Sequence, residues 1–235
     1  MAAAQQRTLV RVSNLRKQFG TTVALDDVSF TIQSNETLGL IGPNGSGKTT
    51  LFECLGGVLP FDSGTIERVA AGGNDLFYLP DAITPWPAES IDWSQRFVVG
   101  LFGGRAHARD AINRRLGLDA ILDRPLGTLS KGQRKRAVLA LGLLTPHRIL
   151  LADEPFDGLD LRQTREAASL LREMVGPDRA LFLSIHQIAD AELVCDRFLL
   201  LSDGRVRGQG TVAELSQQSA APPGSSLEEV FLALA

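Results

Sequence analysis

Apolar and β-branched residues cluster at 9–12, 23–32 and 37–41, with Gly20 and Asn35 breaking the run, and each cluster reads as a strand. Residues 37–41 are apolar almost without interruption, the pattern of a strand buried on both faces. A helical period begins at Lys48 and continues to about residue 58. Residues 64–79 read as short strands and turns. From 81 to 144 the spacing becomes helical, with helices expected over 91–102, 108–116 and 131–144. Strands return at 149–152, 180–185 and 197–201, and a helix over 161–175 separates the first two. Alternating strands and helices predict an α/β fold with a mostly parallel sheet. The middle segment reads as a helical lobe inserted into it. Residues 219–226 read as a flexible linker, and 227–235 as a short amphipathic helix.

Composition narrows this picture. A chain of 235 residues without internal repeat fits one large α/β domain with a small inserted lobe. We expect a core at 1–80 and 145–218, a helical subdomain at 81–144 and a C-terminal linker and helix at 219–235. The net charge of -3 removes the electrostatic case for nucleic acid. No apolar run approaches the roughly 20 residues of a membrane-spanning helix, and the first residues lack an apolar signal core. The expected compartment is the cytosol. Cys54 and Cys195 stand apart and read as reduced core residues. The only histidines are His107, His147 and His186, which argues against a His-rich metal site.

The chemistry is concentrated after the third strand. Gly42, Pro43, Asn44, Gly45, Ser46, Gly47, Lys48, Thr49 and Thr50 fit G-x-x-x-x-G-K-[ST], the loop that cradles nucleotide phosphates, in the strand–loop–helix context that motif requires. Glycines let backbone N–H groups curve around phosphate oxygens, and the following helix adds its positive end. Lys48 supplies a compact charge, and the Thr49 hydroxyl suits Mg²⁺. Only four lysines stand against twenty arginines, and one occupies this loop, where the wide guanidinium fork would fit badly. The buried run at 149–152 ends in Asp153 and Glu154, at a strand's carboxyl end, where parallel sheets place ligands. Adjacent carboxylates there point to different sides. Asp153 is the candidate Mg²⁺ holder, and Glu154 the candidate base for an attacking water. Another apolar run, 180–185, is followed by His186.

In the order Gly42–Thr50, then Leu-Ser-Lys-Gly-Gln at 129–133, then Asp153-Glu154, then His186, the chain resembles the ATP-binding cassette (ABC) family of transport ATPases over nearly its whole length. The resemblance implies a P-loop NTPase core with N-terminal antiparallel strands and an inserted helical subdomain. It implies ATP and Mg²⁺ as cofactors. It places His186 at the γ-phosphate and Phe19 against adenine. Ser130, Lys131, Gly132 and Gln133 match the surface that faces a partner cassette's ATP, and Gly158, Leu159 and Asp160 match the loop that crosses that interface. The implied partner is a second cassette, a copy of this chain or a related one, joined head-to-tail. Two positions depart from the family pattern. Lys131 replaces the usual Gly, and Asp81 stands where the family carries the Gln that touches Mg²⁺; we expect Asp81 to remain a Mg²⁺ ligand. Trp86, Trp93 and Phe97 lie where the family forms a groove for a helix of a membrane subunit, and we expect at least one at that interface and the rest in the lobe's core. Residues 209–215 and 227–232 are similar to a branch that exports drugs, lipids and polysaccharides. The function implied is an ATPase driving a separate permease, that of an exporter, from the cytoplasmic face of the membrane; the alternative is a soluble ATPase of an assembly or repair complex.

Overall fold

The computed structural model describes residues 7–68, 75–81, 83–219, 222 and 225–234. Strands β1 (Thr8–Phe19) and β2 (Thr22–Gln33) form a long antiparallel hairpin, and β4 (Ser63–Arg68) pairs with the other edge of β1. Both hairpin strands run beyond the apolar clusters that announce them. Residues 13–18 are mostly polar, yet Leu15 is fully buried among them, and cross-strand pairing extends β1 to Phe19.

The second sheet has the order β5 (Leu76–Leu79), β6 (Ile149–Asp153), β7 (Ala180–Ser184), β3 (Thr37–Ile41), β8 (Arg197–Ser202), β9 (Arg205–Gly210). Its first five strands are parallel, and β9 runs antiparallel to β8. Every residue of β3, β6 and β7 is buried, as their continuous apolar sequences require. Helices α1 (Lys48–Gly56), α2 (Ile91–Phe102), α3 (Arg109–Arg115), α4 (Lys131–Leu144) and α5 (Leu161–Met174) follow the expected periods within a residue or two.

Two apolar clusters pack the molecule. One joins β1, β2 and α1 to the central strands through Leu15, Leu25, Phe30, Phe52 and Phe182, with the Phe52 and Phe182 ring centroids 4.8 Å apart. The other joins α4 and α5 to the opposite side through Leu139, Leu143, Leu150 and Leu171.

One strand and two α-helices were not expected from sequence: β9, α6 (Ile188–Val194) and α7 (Val212–Gln218). The strand is largely polar and lies at a sheet edge. The helices are too short for a period to emerge; α7 is defined by its start, where Thr211 and Glu214 form a capping box. Helix α8 (Leu227–Leu234) matches the expected C-terminal helix. Half of the expected linker, residues 220, 221, 223 and 224, lies outside the described residues, as do residues 69–74 of the stretch expected to hold strands and turns. Among the described residues no helix is long and apolar enough to cross a membrane.

His147 supplies a pH-dependent term in stability. It is buried between the rings of Phe77 and Phe102, and its Nδ1 has no partner. Burial pushes its pKa below the ordinary 6.5, Arg179 adds to the shift, and Asp75 opposes it. The unfolded chain therefore takes up this proton first. The neutral ring's contribution is complete above pH 6.5 and is lost as pH falls below that value. Denaturant unfolding of His147→Leu alongside wild type should show a smaller loss of stability between neutral and mildly acidic pH in the variant; parallel losses would contradict this.

Candidate nucleotide site

Strand β3 lies between β7 and β8, so the loop at its end opens near the middle of the sheet. Gly47 takes φ 104°, and a Cβ there would come within 2.5 Å of the Ala24 carbonyl oxygen, so this position tolerates no side chain. The Lys48 ammonium folds back over the loop, donating to the carbonyls of Gly42 at 2.8 Å and Pro43 at 3.2 Å. Burial pushes the Lys48 pKa down, while the charges of Glu154 and Asp153 hold it up. No acidic residue occupies the first turn of α1, so its positive end is not offset by its own sequence. The Ser46 hydroxyl is buried without a protein partner. Loop, lysine and helix end thus form a concave, electropositive cradle suited to polyphosphate.

The end of β6 lies against this cradle. Asp153 Oδ2 accepts from the Thr49 hydroxyl at 3.0 Å, and Oδ1 accepts from Ser184 Oγ. Hard oxygen donors on Thr49 and Asp153, adjacent and next to the cradle, fit Mg²⁺, which takes few protein ligands and completes its shell with phosphate and water oxygens. Ser184 was missed in the sequence; the available signal was a hydroxyl residue closing an apolar strand.

Glu154 adopts φ 50°, uncommon for a residue with a side chain. Its N–H donates to the carbonyl and to the hydroxyl of Ser184, each at 3.1 Å. This turn sends its carboxylate away from that of Asp153, where Oε2 accepts from the His186 N–H at 3.0 Å. Burial raises the Glu154 pKa above the ordinary glutamate value, opposed first by Lys48. Beside these groups lies a cleft of about 420 Å³ walled by Asn44, Glu154, Asp157, Gly158, His186 and Gln187. The His186 side chain is exposed. Phe19, 48% exposed, sits at the tip of the hairpin that supplies Ala24, with the Lys17 ammonium 5.3 Å from its ring centroid.

The second group of expected residues gathers at the start of α4. Ser130 caps the helix: its hydroxyl accepts from the Gln133 N–H, and the Gln133 side chain accepts from the Ser130 N–H. A Cβ on Gly132 would lie 2.5 Å from the Gly158 carbonyl oxygen, so the helix start rests directly on the loop after β6. Asp160 caps α5 in the same way, accepting from the Gln163 N–H at 2.8 Å. Asp81 forms an ion pair with Lys135 of α4, whereas the Asp153 carboxylate is engaged by Thr49 and Ser184.

Trp86, Trp93 and Phe97 form one surface cluster. The rings of Trp93 and Phe97 stack at 5.1 Å, Trp86 meets Phe97 edge-on at 5.0 Å, and each residue is about 40% exposed. None joins the core as expected for some of them; Ile91, Val98 and Ile112 fill that place. Beside the cluster is an apolar groove of about 350 Å³, lined by Val58, Tyr78, Leu79, Ile83, Pro85 and Trp86 among others.

The profile of the family described as "ABC transporter" matches residues 25–157. The chain belongs to the ABC transporter family. It is 30% identical to the Escherichia coli (strain K12) protein named "Probable multidrug ABC transporter ATP-binding protein YbhF", over 97% of this chain, and it spans 42% of that protein's length. It is 36% identical to the phosphonates import ATP-binding protein PhnC 1 of Natronomonas pharaonis, over 84% of this chain and 91% of that one. A solved ATP-binding subunit of an ABC transporter superposes with a TM-score of 0.87 at 26% identity, covering 97% of this chain and 99% of that chain.

Proposed function

We propose that this chain is the ATP-binding and ATP-hydrolysing subunit of an ABC exporter, pairing head-to-tail with a second cassette and driving a permease carried on a separate polypeptide. The observation that carries the reading is the convergence of Lys48, Thr49, Asp153, Glu154 and the His186 backbone at the carboxyl ends of β3, β6 and β7. In this reading the backbone N–H groups of residues 44–50 and the Lys48 ammonium hold the triphosphate. Thr49 and Asp153 hold Mg²⁺, which when bound offsets phosphate charge. Glu154 orients the attacking water and accepts its proton, His186 contacts the γ-phosphate, and Phe19 stacks on adenine.

Ser130, Lys131, Gly132 and Gln133 present the positive end of α4 to a partner's nucleotide, and Gly158, Leu159 and Asp160 cross between the two cassettes. The partner is a second copy or a related chain. The groove beside Trp86 and Ile83 receives an apolar helix of the permease, which holds the cassette at the cytoplasmic face of the membrane. ATP binding closes the pair, and hydrolysis releases it. The endings at 209–215 and 227–232 favour export, as does the multidrug relative, while the phosphonate relative is an import protein.

Affinity purification of the tagged chain from native membranes tests the reading. We expect a stoichiometric polytopic membrane protein to copurify. Recovery with soluble partners alone would replace the transport reading by that of an assembly or repair ATPase.

A further inference from the structure

Two of the chain's four lysines, Lys131 and Lys135, stand four residues apart on α4. Like charges at that spacing repel. The positive end of the helix disfavours both, Arg134 and Arg136 add further charge, and the first turn contains no acid. Counter-charge comes from outside the helix, from two different loops. Lys131 Nζ lies 2.6 Å from Asp157 Oδ2, in the loop after β6, and Lys135 pairs with Asp81, after β5.

The two pairs are unequal. The Lys131 side chain is 62% exposed, and a solvated pair of that kind contributes little. The Lys135 side chain is only 11% exposed. Its stem is covered by protein while its partner Asp81 is 42% exposed, so the pair is half-solvated and holds an orientation more than it adds stability. Asp81 also begins the segment that continues into Ile83, Pro85 and Trp86, three walls of the apolar groove. Lys135 follows Ser130 by little more than one helical turn. This ion pair therefore joins the groove-lining segment to the first half of α4, whose Val138 and Leu141 line the same groove further along.

We propose that Asp81 and Lys135 are positioning residues: their ion pair fixes the Ser130 end of α4 against the groove-lining segment, and ATP-driven pairing of two cassettes depends on it. This rests on the reading that residues 130–133 meet a partner's nucleotide. It gives Asp81 a role through α4 in place of the Mg²⁺ contact expected from its sequence position.

The test uses the full chain carrying Glu154→Gln, with ATP-dependent dimerisation measured by sedimentation and ATP affinity measured at dilutions where the chain is monomeric. Adding Lys135→Met should weaken the ATP-driven dimer by about tenfold while leaving monomer ATP affinity unchanged. Lys135→Arg should retain the dimer, and the exchanged pair Asp81→Lys with Lys135→Asp should recover most of it. The recovery separates positioning from a general loss of folding. If Lys135→Met dimerises like its parent, or the exchanged pair is as weak as Lys135→Met, the proposal is wrong and the head-to-tail reading stands. If the Glu154→Gln parent fails to dimerise with ATP, the head-to-tail reading falls and the proposal with it.

Discussion

In a Glu154→Gln variant we expect ATP turnover to fall by roughly a thousandfold while ATP binding is retained. The carboxamide keeps the volume of Glu154 and an oxygen that can accept from the His186 N–H, so the turn after β6 survives. What disappears is the acceptor for the proton of the attacking water. Burial already penalises the charged carboxylate, so the neutral replacement should not lower thermal stability. Because hydrolysis is the step that releases the pair in the proposed cycle, the variant should also accumulate as a dimer when ATP is present. Steady-state turnover and sedimentation with and without ATP check both halves. Turnover near the wild-type rate would remove Glu154 from its proposed role.

Lys48→Met should fail in the opposite way, with ATP affinity falling by about a hundredfold. The Lys48 ammonium is the only side-chain cation donating to the loop carbonyls of Gly42 and Pro43, among the described residues. Methionine fills similar space but supplies neither those bonds nor the charge that offsets phosphate, Asp153 and Glu154. Equilibrium binding of a fluorescent ATP analogue measures the loss, and circular dichroism checks that the variant is folded. Affinity close to wild type would exclude Lys48 as a phosphate ligand. Together the two variants separate chemistry from binding: Glu154→Gln keeps nucleotide and loses turnover, and Lys48→Met loses nucleotide first.

Much of the site was legible because its signals are local. Gly47 must be glycine for its own φ and for the approach of Ala24, and Lys48 and Thr49 follow it directly. Asp153 and Glu154 were readable because a continuous apolar run before them marks a buried strand, whose end is a predictable place in a parallel sheet. Ser184 was not readable in the same way. A serine at a strand end is ordinary until β7 is known to pair with β6 and bring its hydroxyl to Asp153. Trp86, Trp93 and Phe97 misled for a related reason. Apolar aromatic residues are as compatible with a core as with a surface, and only packing showed that smaller aliphatic residues fill the lobe's interior.

The sequence by itself determined the order of the strands and helices other than β9, α6 and α7, the phosphate loop and the family, because periodicity and short motifs act over a few neighbouring residues. The tertiary structure decided which distant residues meet: Ser184 with Asp153, Gly132 with Gly158, and Asp81 with Lys135. Those contacts depend on sheet order and on how α4 rests against two separate loops. Segments 31, 26 and 54 residues apart are brought together by the whole packed chain, and no local pattern encodes that.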